Sequence, residues 1–238
     1  MLCLLAQQAA AATGEALLIG AEDDWAPFSS VAQGKPVGMA VEIVSAIFAE
    51  AQLPLQLVPM PYDRCMQEAL IGRMHGCFDT VPDSQLRRDY LFHAKPLFTD
   101  TTVIVMRSDS PEHKLQLRDL EGRKVITTSG YTYGDAFERN KKIERVQAIG
   151  DINTLRLLKS GAADQAIMFR HALAYLQKGK GQDLQGAFKT VGTLADNALY
   201  LSFSRQLPDA KGVLAQFDAA HQRLIKSGAI ARIEKRWE

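Results

Sequence analysis

Short apolar runs and helically spaced apolar stripes alternate along this chain, each closed by a glycine or a polar cluster. Ala16 to Gly20, Ala-Leu-Leu-Ile-Gly, has the length of a buried strand and runs into the polar loop Ala21 to Phe28. After a turn at Gly34-Lys35-Pro36, Val41, Val44, Ile47, Phe48 and Ala51 recur at helical spacing. This predicts a helix from about Ala40 to Ala51 with one core face. Leu55 to Val58 reads as a second strand. Tyr62 to Ile71 reads as a helix whose stripe is Tyr62, Cys65, Met66, Ala69 and Leu70, ended by Gly72 in a left-handed cap.

The pattern then repeats. Leu70 to Phe78 and Leu158 to Ile167 share one design of helix end, glycine stop, polar residue and apolar strand. The second half has its own opening strand, Lys124 to Thr128, which leads through Ser129-Gly130-Tyr131-Thr132-Tyr133-Gly134 into a helix. Two similar α/β lobes account for the repetition; the alternative is a set of βαβ units in one doubly wound sheet. Phe98 to Met106 and Val191 to Phe203 are extended stretches, not Gly/Ser-rich linkers, and could join the lobes. A helix from about Asp209 to Lys226 and a shorter one ending at Trp237 follow. The apolar face there needs a partner, and the first lobe is available.

Composition narrows the function. The 238 residues suffice for one large domain or two small ones, each with a real core. With 28 basic against 27 acidic residues, the net charge of +1 supplies no field to attract nucleic acid or an anionic membrane. No run approaches the roughly 18 to 20 apolar residues of a membrane-spanning helix. The five histidines are scattered, and no His or Cys stands in the short repeated spacing of a zinc site, so no metal and no cofactor is assigned.

Residues 1–13 read as the back half of a secretory signal peptide without its basic start, or as an ordinary apolar terminus. Cleavage near Ala10 to Ala12 removes Cys3 and leaves Cys65 and Cys77 in a compartment that favours disulfides. Cys65 lies on the apolar face of a helix and Cys77 begins the strand that returns beside it. The two are either bonded or separate buried thiols.

The Trp25-Ala26-Pro27-Phe28 loop, Gly38 to Ile43 opening a helix, and Ser84-Gln85-Leu86-Arg87 before Phe92 to Leu97 stand in one order with Asp119 to Val125, Ser129-Gly130-Tyr131-Thr132 and Gly228 to Trp237. In that order and spacing the chain resembles, from about Ala16 to Trp237, the bacterial extracellular solute-binding proteins of polar amino-acid ABC transporters. The resemblance implies an α/β fold of the type II periplasmic binding protein kind, two lobes around a central cleft joined by two crossover hinge segments. Residues 14–100 and 194–238 would form lobe one and 101–193 lobe two. It further implies a periplasmic monomer with no catalytic role. Such a protein binds a small polar, carboxylate-bearing, amino-acid-like solute and delivers it to a transporter permease.

The resemblance carries particular residues with it. Arg87 occupies the arginine of the family's Ser/Thr-x-x-Arg motif, which pairs with a ligand carboxylate, with Arg88 the alternative one position on. Asp79 and Thr80 correspond to the family's polar contacts at a strand end. Read from the residues themselves, the Ser129 to Gly134 turn offers Tyr131 and Thr132 to the opposite jaw, or is an ordinary helix cap. Trp25 and Phe28 are an apolar wall or simple packing, and Asp24 could receive an ammonium group.

The departures count as well. Where relatives that bind α-amino acids place an Asp after the second-lobe strand, this chain has Phe169 and Arg170, so the amino clamp is missing and Arg170 could favour a second anionic group. Two rival readings remain. One is an enzyme of the dehydratase type on the same fold, with Asp79, Glu42 and His93 as acids or bases; the other is a ligand-sensing domain without transport.

Overall fold

The computed structural model describes residues 15–179 and 184–237; the signal-peptide reading of residues 1–13 lies outside them. The first half runs β1 (Leu17–Glu22), a small meander of β2 (Asp24–Trp25), β3 (Ser29–Ala32) and β4 (Lys35–Val37), then α1 (Met39–Ala51), β5 (Leu55–Met60), α2 (Tyr62–Leu70) and β6 (Gly76–Thr80). One helical turn, α3 (Leu86–Asp89), and the short β7 (Tyr90–Phe92) lead into β8 (Phe98–Arg107). There follow β9 (Lys124–Thr128), α4 (Asp135–Glu138), β10 (Glu144–Ala148), α5 (Asp151–Ser160), β11 (Gln165–Phe169) and α6 (Arg170–Lys178). The long β12 (Phe188–Ser204), α7 (Ala210–Lys226) and α8 (Ala229–Trp237) come last.

The main sheet has the order β10-β9-β11-β8-β12-β6-β1-β5, with β7 beside β12. Two parallel groups, β5-β1-β6 and β10-β9-β11, flank an antiparallel pair, β8 and β12. Residues of β12 up to Leu199 pair with β8, while Tyr200 to Ser204 pair with β6 and β7, so one strand belongs to both groups. The two extended stretches expected to join the halves are therefore neighbouring strands. Their pairing shifts register between Thr190 and Gly192 and again between Thr193 and Ala195, beside the stretch of β8 that pairs with β11.

The stripe of α1 is buried as its spacing predicts, and α7 covers it, with Phe48 and Phe217 in edge contact at 5.6 Å. The C-terminal helices thus find their partner in the first half of the chain. Cys65 and Cys77 are bonded, their Cα atoms 6.1 Å apart, which fastens α2 to β6. Gly20 of β1 passes so close that a β-carbon there would stand 1.9 Å from Cys65 Sγ, so no other residue fits. After Gly134 the expected helix is a single turn, Asp135–Glu138. Only Phe137 of that turn is buried, and the polar run Arg139 to Lys142 offers no apolar stripe to hold further turns.

Candidate functional site

The carboxyl ends of both parallel groups face one another, the position where α/β sheets gather ligands. β1 ends in Glu22, β6 ends in Asp79 and Thr80, β9 runs into Tyr131 and Thr132, and β11 ends in Phe169. With Trp25, Tyr62 and Val81, these residues except Thr80 line a cavity of about 10 Å³, measured to the centre of a water-sized sphere. That is space for about one water. Trp25 also lines a second cavity, about 70 Å³, together with Asp23, Asp24, Asp151 and Tyr175.

Local backbone geometry aims Asp79 inward. Between the pairs Cys77–Ser202 and Thr80–Tyr200, β6 carries one residue more than β12, a bulge that turns a side chain out of the alternation of the strand. Asp79 itself has φ 70, a left-handed conformation uncommon outside glycine. Both of its carboxylate oxygens are buried without a hydrogen-bond partner among the described residues. Burial alone drives its pKa well above the usual carboxylate range.

Glu22 is in a similar condition. Burial raises its pKa strongly, with Asp79, Asp151 and Asp23 adding to the rise and the Tyr131 hydrogen bond opposing it. Asp151 starts α5, accepts the Thr128 hydroxyl at 2.6 Å, and is pushed up to about 6 by burial, helped by Asp24. The aromatic walls meet edge to face, Trp25 with Tyr131 at 5.9 Å and with Phe169 at 5.2 Å. Tyr62 and Tyr131 are 6.0 Å apart.

The two halves are in contact across this site. Tyr131 donates its hydroxyl to Glu22, and Thr132 Oγ1 donates to the Val81 carbonyl at 2.9 Å. The Ser84 N–H donates to Asp135 at 3.1 Å.

Of the residues singled out from sequence, Trp25, Asp79, Tyr131 and Thr132 meet in the first cavity and Asp24 lines the second. Thr80 lies beneath the site, accepting the Tyr62 hydroxyl at 3.0 Å. Phe28 stands behind Trp25, stacked on Phe98 at 4.9 Å.

Arg87 and Arg170 are exposed and line neither cavity. Asp83 accepts the N–H groups of Gln85 and Leu86 and starts α3 in a direction that sends Arg87 outward, over the Phe92 ring at 5.7 Å. Arg205 holds the carbonyls of Arg87 and Arg88 from outside. Arg170 reaches Thr193 at 3.4 Å. The expected carboxylate clamp at Arg87 is therefore absent from the cavity, and so is the second one at Arg170.

Glu22, Tyr62 and Phe169 were not foreseen as ligand contacts. Glu22 closes an apolar strand and is indistinguishable, in sequence, from its solvated neighbours. Tyr62 reads as one more member of a helix stripe. Phe169 carries the available signal, an aromatic ring where an acid was expected.

The chain matches the family model of bacterial extracellular solute-binding proteins, family 3, over residues 17–238, and it belongs to that family. A probable amino-acid-binding protein, YxeM of Bacillus subtilis, is 24% identical over 172 residues, which are 71% of this chain and 65% of that protein. Among solved structures, a P235GK mutant of the T. maritima arginine-binding protein ArgBP superposes with TM-score 0.78 at 22% identity, covering 93% of this chain and 94% of that one. A histidine kinase sensor domain similar to periplasmic binding proteins gives 0.81 at 23% identity, covering 93% and 95%. These likenesses establish the type II periplasmic binding protein fold.

Proposed function

We propose that this protein binds a small, amino-acid-sized solute bearing an ammonium or guanidinium group, enclosed between two lobes that close over it. The lobes are residues 14–100 with 194–238, and residues 101–193. The observation that carries this reading is the Asp79 carboxylate, buried and without a partner, beside Glu22 and four aromatic rings contributed from both sides of the cleft. A buried carboxylate without a partner is costly, and a bound cation would supply the missing charge and hydrogen bonds. Aromatic faces add cation–π attraction.

We read the site as binding rather than catalytic on the strength of family membership; of the acids and bases weighed for a dehydratase, Asp79 lines the first cavity, while Glu42 and His93 do not. Family membership and a name such as amino-acid-binding protein on a relative support delivery to an ABC transporter from a periplasmic or extracellular location. Likeness to a kinase sensor domain favours, as second reading, a lobe closure sensed by a partner rather than a permease.

A thermal-shift screen of amino acids and other small cations tests the site, run on wild type, Glu22→Gln and Asp79→Asn. Each hit on wild type is expected to lose most of its stabilisation in both variants. A ligand that stabilises all three proteins equally binds elsewhere, and the assignment of this cleft then fails.

A further inference from the structure

The charge around the cleft has one sign. The charged residues of the first cavity are Glu22 and Asp79, and those of the second, which Trp25 also lines, are Asp23, Asp24 and Asp151. Neither cavity is lined by a Lys, Arg or His. Arg87 and Arg170 are exposed, Arg87 over the Phe92 ring and Arg170 at Thr193.

Several of the backbone sites that could hold an anion are also taken. The N-terminus of α5, the ten-residue helix that enters the cleft, is met by an acid from the opposite half: a β-carbon on Gly150 would lie 3.2 Å from Asp24 Oδ2. Asp151 occupies the first position of the same helix. Two carboxylates therefore already sit where the free N–H groups and the helix dipole would attract one. In the β9–α4 turn, the Tyr133 N–H is used by Glu138 at 3.1 Å and the Tyr131 N–H by the Thr128 carbonyl at 3.2 Å.

An α-amino acid brings a carboxylate as well as an ammonium. Placed here, that carboxylate would be buried beside acids without a cationic partner, the arrangement that costs most in a site closed to water. Among the described residues no cluster of His, Cys, Asp and Glu is arranged to hold a metal ion, and aromatic walls suit an organic cation better than a hydrated one. We infer that the solute is an organic amine or guanidine that carries no carboxylate, held by Glu22 and Asp79 within the ring of Trp25, Tyr62, Tyr131 and Phe169. The inference rests on the cleft reading given above and narrows it to one chemical class. Amines with a second cationic end fit the class best, because Trp25 lines both this cavity and the second, acid-lined one.

Matched pairs test it directly: arginine against agmatine, lysine against cadaverine, ornithine against putrescine, histidine against histamine, and tyrosine against tyramine. Each member is titrated by calorimetry into the purified chain and into its Asp79→Asn variant, after a thermal-shift survey at about 10 mM. In at least one pair the amine is expected to bind at least about tenfold more tightly than its parent amino acid, and to lose that affinity in the variant. An amino acid that binds as tightly as its amine, and still depends on Asp79, overturns the inference while leaving the cleft reading intact. Absence of any shift with all five amines overturns it too. Binding that ignores Asp79→Asn removes the cleft reading itself.

Discussion

Asp79 has φ 70 and a buried carboxylate without a partner among the described residues, two features that each cost stability and that fit the ligand contact proposed above. Its pH linkage follows from the raised pKa. In the unfolded chain the carboxyl titrates near the ordinary aspartate value, about 3.9. In the folded chain it keeps its proton to higher pH. Between those two pKa values the native state binds more protons, so this group's contribution to stability falls as pH rises.

Asp79→Asn removes the linkage, and Asn tolerates the left-handed backbone. The variant without ligand is expected to gain stability relative to wild type as pH rises from 5 to 8. Thermal melts of both proteins at the two pH values check this; an equal difference at both would rule out a raised pKa. Arg87→Ala, by contrast, removes an exposed guanidinium that touches Phe92 and lines neither cavity. Calorimetry with any confirmed ligand is expected to give an affinity within about 0.5 kcal/mol of wild type.

Among the elements, the α2–β6 unit carries the site from behind. The Cys65–Cys77 bond closes a separation of 12 residues between the helix that presents Tyr62 and the strand that presents Asp79. Removing it through Cys65→Ser with Cys77→Ser is expected to lower unfolding stability by about 3 kcal/mol, with the larger part from freedom returned to the unfolded chain. Chemical denaturation measures the loss. A midpoint unchanged from wild type would mean that α2 is held as firmly by its packing alone. The repeated helix, glycine and strand pattern was legible because α2 and α5 are each followed by a left-handed glycine, Gly72 and Gly161, before an apolar strand. The bulge in β6 was not, since nothing in Gly-Cys-Phe-Asp-Thr announces which residue its neighbour β12 will leave unpaired.

At the scale of the molecule, β8 and β12 are the strands shared between the two parallel groups. Opposite them the halves meet through the Tyr131–Glu22, Thr132–Val81 and Ser84–Asp135 hydrogen bonds and through the edge contacts of Trp25 with Tyr131 and Phe169 and of Tyr62 with Tyr131. A cavity with room for about one water admits no amine until these part. Opening about β8 and β12 is the motion the topology allows, and ligand is expected to shift the population toward the closed form. Small-angle scattering with and without a saturating ligand reads the change as a smaller radius of gyration. Identical curves at saturation would count against hinge closure. Because a cation is expected to draw both carboxyls into their charged form, its binding should release protons and weaken as pH falls. Calorimetry in two buffers of different ionisation enthalpy measures that release, and a buffer-independent enthalpy would show that the acids were already charged.

The sequence by itself determined the class of the fold, because helical spacing, apolar runs and glycine stops are local signals that need no partner to be read. It also singled out Trp25, Asp79, Tyr131 and Thr132, which line one cavity between the halves, through their places in ordered motifs. It could not say which charges face inward. That depended on how α3 is started by Asp83, which turns Arg87 to solvent, and on where β1 and β6 end relative to the opposite half, which brings Glu22 and Asp79 together. The sign of the cleft is a property of side-chain direction summed over elements far apart in the chain, and only the tertiary structure decided it.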